Sequence, residues 1–225
     1  MPRFRIILTT FSVLDNEKDY TISLISRYWT YSTGDADIFH TTSTLSNFIC
    51  GTSDALHAYR DSHPSTFIHV TRGANSIGNF ISAMASHLNF YRGINGLVEV
   101  SLLGTLWRIA VQETHPIYSE LLTAYRESLP LWTSIFSLLR RTVNDEKRPL
   151  YKDGNEEHIG IVLPLTHHTA NTIIHYDSIG SLKDCADLIS CWVAADLFGT
   201  LDVIIPFCAG KQLRCSSIIT AFPIR

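Results

Sequence analysis

The chain has no run of about 18 apolar residues, the length a helix needs to cross a bilayer, so no membrane span is expected. The N-terminal residues Met1 to Thr10 have a charged start but too short an apolar run for the core of a signal peptide. There is no basic surplus. The formal net charge is −3 and the isoelectric point is about 6.3, which argues against a general nucleic-acid binder. The one basic cluster, Arg140 and Arg141 with Lys147 and Arg148, sits beside Asp145 and Glu146 and reads as a helix end rather than a phosphate site. Cysteines are few and odd in number. Cys50, Cys185, Cys191, Cys208 and Cys215 form no paired framework, which points to a reducing, intracellular compartment.

Cofactor and metal signatures are missing too. Gly73 to Gly78 lacks both a dinucleotide fingerprint and a Walker lysine. Gly51-Thr-Ser-Asp lacks the trailing glycine of a serine-hydrolase elbow. His167 and His168 with His175 have no companion cluster at zinc spacing, and Cys208 to Cys215 is not a paired-cysteine knuckle. No cofactor and no metal are expected. There is no internal repeat and no low-complexity tract.

What is present is a foldable chain. Its 225 residues are 45% hydrophobic and 17% charged, enough to bury a sizeable core in one domain. The spacing predicts a helix over 19–29, short helices over 42–50 and 53–60, and short strands over 3–9 and 66–71. Helices are expected near 76–91, 97–112, 116–127 and 131–141, the last with Trp132, Ile135, Phe136 and Leu139 on one face. Residues 144–157 are polar, carry Pro149 and Asp153-Gly154, and read as a linker. Beyond them the period changes. Residues 158–164, 171–177 and 201–207 read as strands, 182–198 as a helix, and 215–222 as the start of a last helix.

This pattern places three chemically useful groups in order. If 158–164 and 171–177 pair as a hairpin, His158 lies opposite Asp177, with Cβ atoms about 4.5–5.5 Å apart. The carboxylate would then orient the imidazole. Cys215 follows a strand and loop and opens the last predicted helix, where a helix N-terminus favours the thiolate. Gln212, just upstream, offers an amide that could donate to an oxyanion. Asp184-Cys185-Ala186 mimics a nucleophile motif but falls inside an amphipathic helix, so Cys185 and Cys191 read as chemically quiet.

The stretch from Pro149 to Ile224 resembles the cysteine-peptidase clan of the SUMO-deconjugating proteases and the adenovirus protease. His158-Ile-Gly-Ile, Tyr176-Asp177-Ser178-Ile-Gly and Gln212-Leu-Arg-Cys215-Ser match that family's His, Asp and Gln–Cys motifs in order and rough spacing. Ile159 stands where Trp is usual, Ser216 where Gly is usual, and the gap from Gln212 to Cys215 is short. The resemblance implies His158 as base, Asp177 as orienter, Cys215 as nucleophile and Gln212 as oxyanion donor. It implies hydrolysis of a peptide or isopeptide bond in a protein substrate, such as a conjugate of a ubiquitin-like modifier. The expected fold is α+β, with a helix-rich part (1–148) packed on a small, mainly antiparallel sheet (149–225) in one catalytic-type domain of SUMO-protease-like, papain-like architecture. Two other functions fit the same outline: a non-catalytic protein-interaction module with a degenerate protease fold, and a thiol-based acyltransferase.

Overall fold

The computed structural model describes residues 20–31, 65–90, 100, 102–104, 107, 118–144, 156–179 and 182–210. Among them every regular element is a helix and no strand occurs, so the expected α+β fold with a C-terminal sheet is overturned. The helices are α1 (Thr21–Tyr31), α2 (Ser65–Ala74), α3 (Ile77–Phe90), α4 (Tyr118–Glu127), α5 (Leu129–Asn144), α6 (Glu156–Ile179), α7 (Leu182–Ala194) and α8 (Leu197–Gly210). Val100, Leu102, Leu103 and Trp107 are also helical and buried. The chain divides into two compact units, Met1–Phe80 and Ile81–Arg225, and residues on both sides of 149 belong to the second. No described helix is long and apolar enough by itself to cross a membrane. The pair α7–α8 is, by length and composition, but it is bent by 78° at its break.

In the first unit α1 and α2 approach closely because their facing residues are small. The buried face of α1 is Ile22, Ser23, Ser26 and Trp29, spaced as one side of a helix. Ser23 Oγ donates to the carbonyl of His69 at 2.9 Å and Ser26 Oγ to that of Val70 at 2.7 Å. Gly73 completes the contact: a Cβ there would lie 2.2 Å from the Ser23 carbonyl oxygen. Asn75 ends α2 in the left-handed conformation, with φ 68°, a role asparagine fills more readily than other side-chain-bearing residues. Ser76 then caps α3 by accepting the Asn79 amide at 3.0 Å. The stretch 66–71, expected as a strand from its β-branched residues, is part of α2. Trp29 is fully buried, its ring 4.8 Å from that of Phe80.

The second unit is built around α5, which packs against α6, α7 and α8, while α7 also meets α4. Its inward face carries Leu131, Trp132, Ile135, Phe136, Leu138 and Leu139, the periodicity the sequence predicts. Ser128 caps α5 through the Leu131 amide at 3.3 Å, and Pro130 sits in the first turn, where its missing N–H has no intrahelical partner to lose. Trp132 and Trp192 pack edge to face at 4.8 Å. Burying a large aromatic side chain stabilises by about 4–6 kcal/mol on area grounds, so this pair dominates the local core. Arg141 donates to the carbonyls of Leu88 and Asn89, each at 2.9 Å, satisfying the last turn of α3.

The segments expected as two strands, 158–164 and 171–177, are one helix, α6. Ile161, Val162, Leu165, His168, Thr169, Thr172, Ile173 and Tyr176 are buried and recur at helical spacing. Thr169 Oγ1 donates to the Leu165 carbonyl at 2.9 Å and Thr172 Oγ1 to that of His168 at 2.8 Å. These bonds satisfy the hydroxyls inside the helix, which lets threonine occupy an interior face. Pro164 falls on an exposed position. The strand expected over 201–207 is the middle of α8, and the helix expected over 182–198 breaks at Ala195 and Asp196. Asp196 has φ 68° and accepts the Gly199 amide at 3.3 Å, so one residue ends α7 and caps α8. A Cβ on Gly199 would lie 2.6 Å from the Asp196 carboxylate, so a larger residue there would push the capping side chain aside. The short helices over 42–50 and 53–60, the strand over 3–9, the linker over 144–157 for most of its length and the last helix over 215–222 lie outside the described residues.

Candidate functional site

The hairpin that would set His158 opposite Asp177 does not exist. Both residues belong to α6, nineteen positions apart, which at a rise of about 1.5 Å per residue separates them by about 28 Å along the axis. Gln212 and Cys215 lie outside the described residues.

Asp177 is exposed and acts electrostatically on a different residue. The Cys185 thiol is pushed up, first by burial and then by the negative charge of Asp177. Burial also raises the Cys191 thiol. Both shifts disfavour the thiolate, the reactive form. Among the described residues no group of three or more His, Cys, Asp or Glu side chains could hold a metal ion.

The most unusual chemistry among the described residues is at His168. It is buried between Trp107, Tyr125 and Trp132, with ring centroids 5.7, 5.7 and 5.9 Å away. Neither ring nitrogen has a hydrogen-bond partner. Burial lowers its pKa from 6.5 to about 3, so the ring is neutral at physiological pH. The surrounding aromatics are tied elsewhere: Trp132 Nε1 donates to the Tyr125 carbonyl at 2.7 Å, and the Tyr125 hydroxyl to the Leu103 carbonyl at 3.2 Å. Among the described residues His168 therefore has no nucleophile to activate and no carboxylate to orient it. The sequence pattern sets His168 between two expected strands, 158–164 and 171–177, and so hides the helix that buries it.

A cavity of about 30 Å³ lies where α5, α6 and α8 meet, lined by Phe136, Leu139, Thr166, Thr169, Thr200 and Ile204 among others. It is large enough for about one water molecule, and the Thr166 hydroxyl, buried and without a partner, borders it. It is too small for a substrate.

The exposed apolar residues are more organised. On α7, Leu182 is 92% exposed and shares one line with Ile189 and Val193, while Leu188 and Trp192 point into the core. On α8, Phe198 and Ile205 are exposed one above the other. Along α1 and the residue before it, Tyr20, Leu24, Tyr28 and Tyr31 are exposed at spacings of four, four and three residues. An open depression of about 550 Å³ is lined by Leu24, Arg27, Tyr28 and Tyr31. No protein-family model, no curated protein and no solved structure matches the chain.

Proposed function

We propose that the chain is a non-catalytic helical module that binds protein. What supports this reading best is the exposed apolar line on α7, formed by Leu182, Ile189 and Val193. Scattered apolar residues on a surface are ordinary, but contiguous apolar rows mark places where a partner binds. The loss of the His158–Asp177 pair weighs in the same direction, because a thiol hydrolase needs its base oriented.

The competing reading is the thiol hydrolase, or an acyltransferase of the same chemistry, with Cys215 as nucleophile. The two are separated by treating the whole chain with a ubiquitin-like protein carrying a C-terminal vinyl sulfone, and separately with an activated acyl donor. The interaction module forms no adduct at Cys215 beyond the slow rate of an ordinary thiol. A fast adduct that disappears in Cys215→Ala and in His158→Ala would sink it.

A further inference from the structure

Two of the exposed rows match each other in spacing and in charge. On α1, Arg27 lies three residues after Leu24 and four before Tyr31. On α8, Asp202 lies four residues after Phe198 and three before Ile205. All six side chains are exposed, and neither Arg27 nor Asp202 has an ion-pair partner among the described residues. The two spacings are mirror images, so they fit when the helices run antiparallel. In that register Leu24 faces Ile205, Arg27 faces Asp202 and Tyr31 faces Phe198. The same register sets Tyr28 against the half-buried Leu201 and Tyr20 against the exposed Ala209.

We propose that α1 of one copy docks antiparallel on α8 of a second copy, with Arg27 and Asp202 paired at the centre of the contact. The proposal rests on the reading of the chain as an interaction module and names its partner. Each row has apolar or aromatic groups on both sides of a single charge, and the two charges are opposite. Tyrosine and arginine are over-represented where interfaces bury their energetic centre. A lipid surface fits less well, since a helix lying on anionic lipid carries basic residues along its polar face, and the charges of α7, α8 and the corner between them are Lys183, Asp184, Asp187, Asp196 and Asp202.

The contact uses a different surface on each copy, so the copy that contributes α1 still carries its α8 row, and its partner still carries its α1 row. Heterologous contacts of this kind can close into rings or grow as chains. The contact spans about three helical turns, which places it among small, weak interfaces. Its central charge pair makes it sensitive to salt.

The test is sedimentation equilibrium of the whole chain over a wide concentration range. The expected result is a mass that rises with concentration and falls with added salt. Arg27→Glu and Asp202→Lys, both at exposed positions, each weaken association by about tenfold or more, because each sets like charges face to face. Mixing the two single variants restores assembly, since every contact between unlike variants then joins opposite charges. Unchanged circular dichroism confirms that each variant is folded. A chain that stays monomeric throughout overturns the proposal, as does assembly indifferent to both substitutions, or a mixture no stronger than its components. The reading as an interaction module fails separately: a chain that assembles as described and also labels rapidly at Cys215 would remove that reading and leave the docking intact.

Discussion

Arg140 of α5 reaches across to Asp196 at the corner between α7 and α8. Its Nη1 donates to the Asp196 carboxylate, to the Asp196 carbonyl at 3.2 Å and to Thr200 Oγ1 at 3.1 Å. Asp196 thus holds a positive φ, caps α8 and accepts a guanidinium from another helix. Replacing it by alanine removes the cap and the ion pair while keeping the left-handed strain, and should cost about 2–3 kcal/mol in urea unfolding. Asp196→Gly relieves the strain and should cost about 1 kcal/mol less than the alanine. Equal losses in the two variants would show that the backbone conformation carries no share.

Gly73 sets the separation of α1 and α2. Gly73→Ala drives a Cβ toward the backbone oxygen of Ser23, which cannot yield without moving the helix. The expected loss is about 2 kcal/mol or more, read as lower hydrogen-exchange protection of α1 and α2 amides. Ser26→Ala, which deletes only the bond to the Val70 carbonyl, should cost about 1 kcal/mol. The opposite ranking would mean that close approach is not what the glycine supplies.

His168 should make the fold sensitive to acid. Its pKa is about 3 folded against 6.5 for the free group, so the unfolded state binds the extra proton between those values. Stability is full above pH 6.5 and falls as the pH drops from there toward 3, by an amount on the order of 5 kcal/mol at the limit. His87, lowered to about 4 by burial, acts in the same direction over a shorter window. His168→Leu should flatten the slope below pH 6.5. It should also raise stability at pH 7 by about 1–3 kcal/mol, since two unpartnered ring nitrogens leave the core. An unchanged acid slope in that variant would rule out His168 as its source.

Cys185 and Cys191 should alkylate more slowly than a free thiol at pH 7.5, since burial raises both. Asp177→Asn removes the charge that adds to the shift at Cys185 and should speed its reaction about two- to threefold, leaving Cys191 unchanged. Peptide mapping after a timed iodoacetamide pulse reads both sites. Equal acceleration at both would point to local opening rather than to the charge of Asp177.

Helical character in the middle of the chain was open to inspection in the residue order. Trp132, Ile135, Phe136 and Leu139 recur at a spacing only a helix turns inward, and α3, α4 and α5 fall within a few residues of their expected ranges. α6 was hidden because its buried face mixes apolar residues with Thr166, His168, Thr169 and Thr172, so a count of apolar positions shows no helical period. Its β-branched residues imitate two strands around a loop. What makes it a helix is tertiary: α5 and α7 cover that face, and the threonine hydroxyls turn back onto the helix's own carbonyls. The same packing decided the fate of the imagined catalytic pair. Residue order alone permits His158 and Asp177 to meet across a hairpin, but in one continuous helix the rise per residue holds them apart.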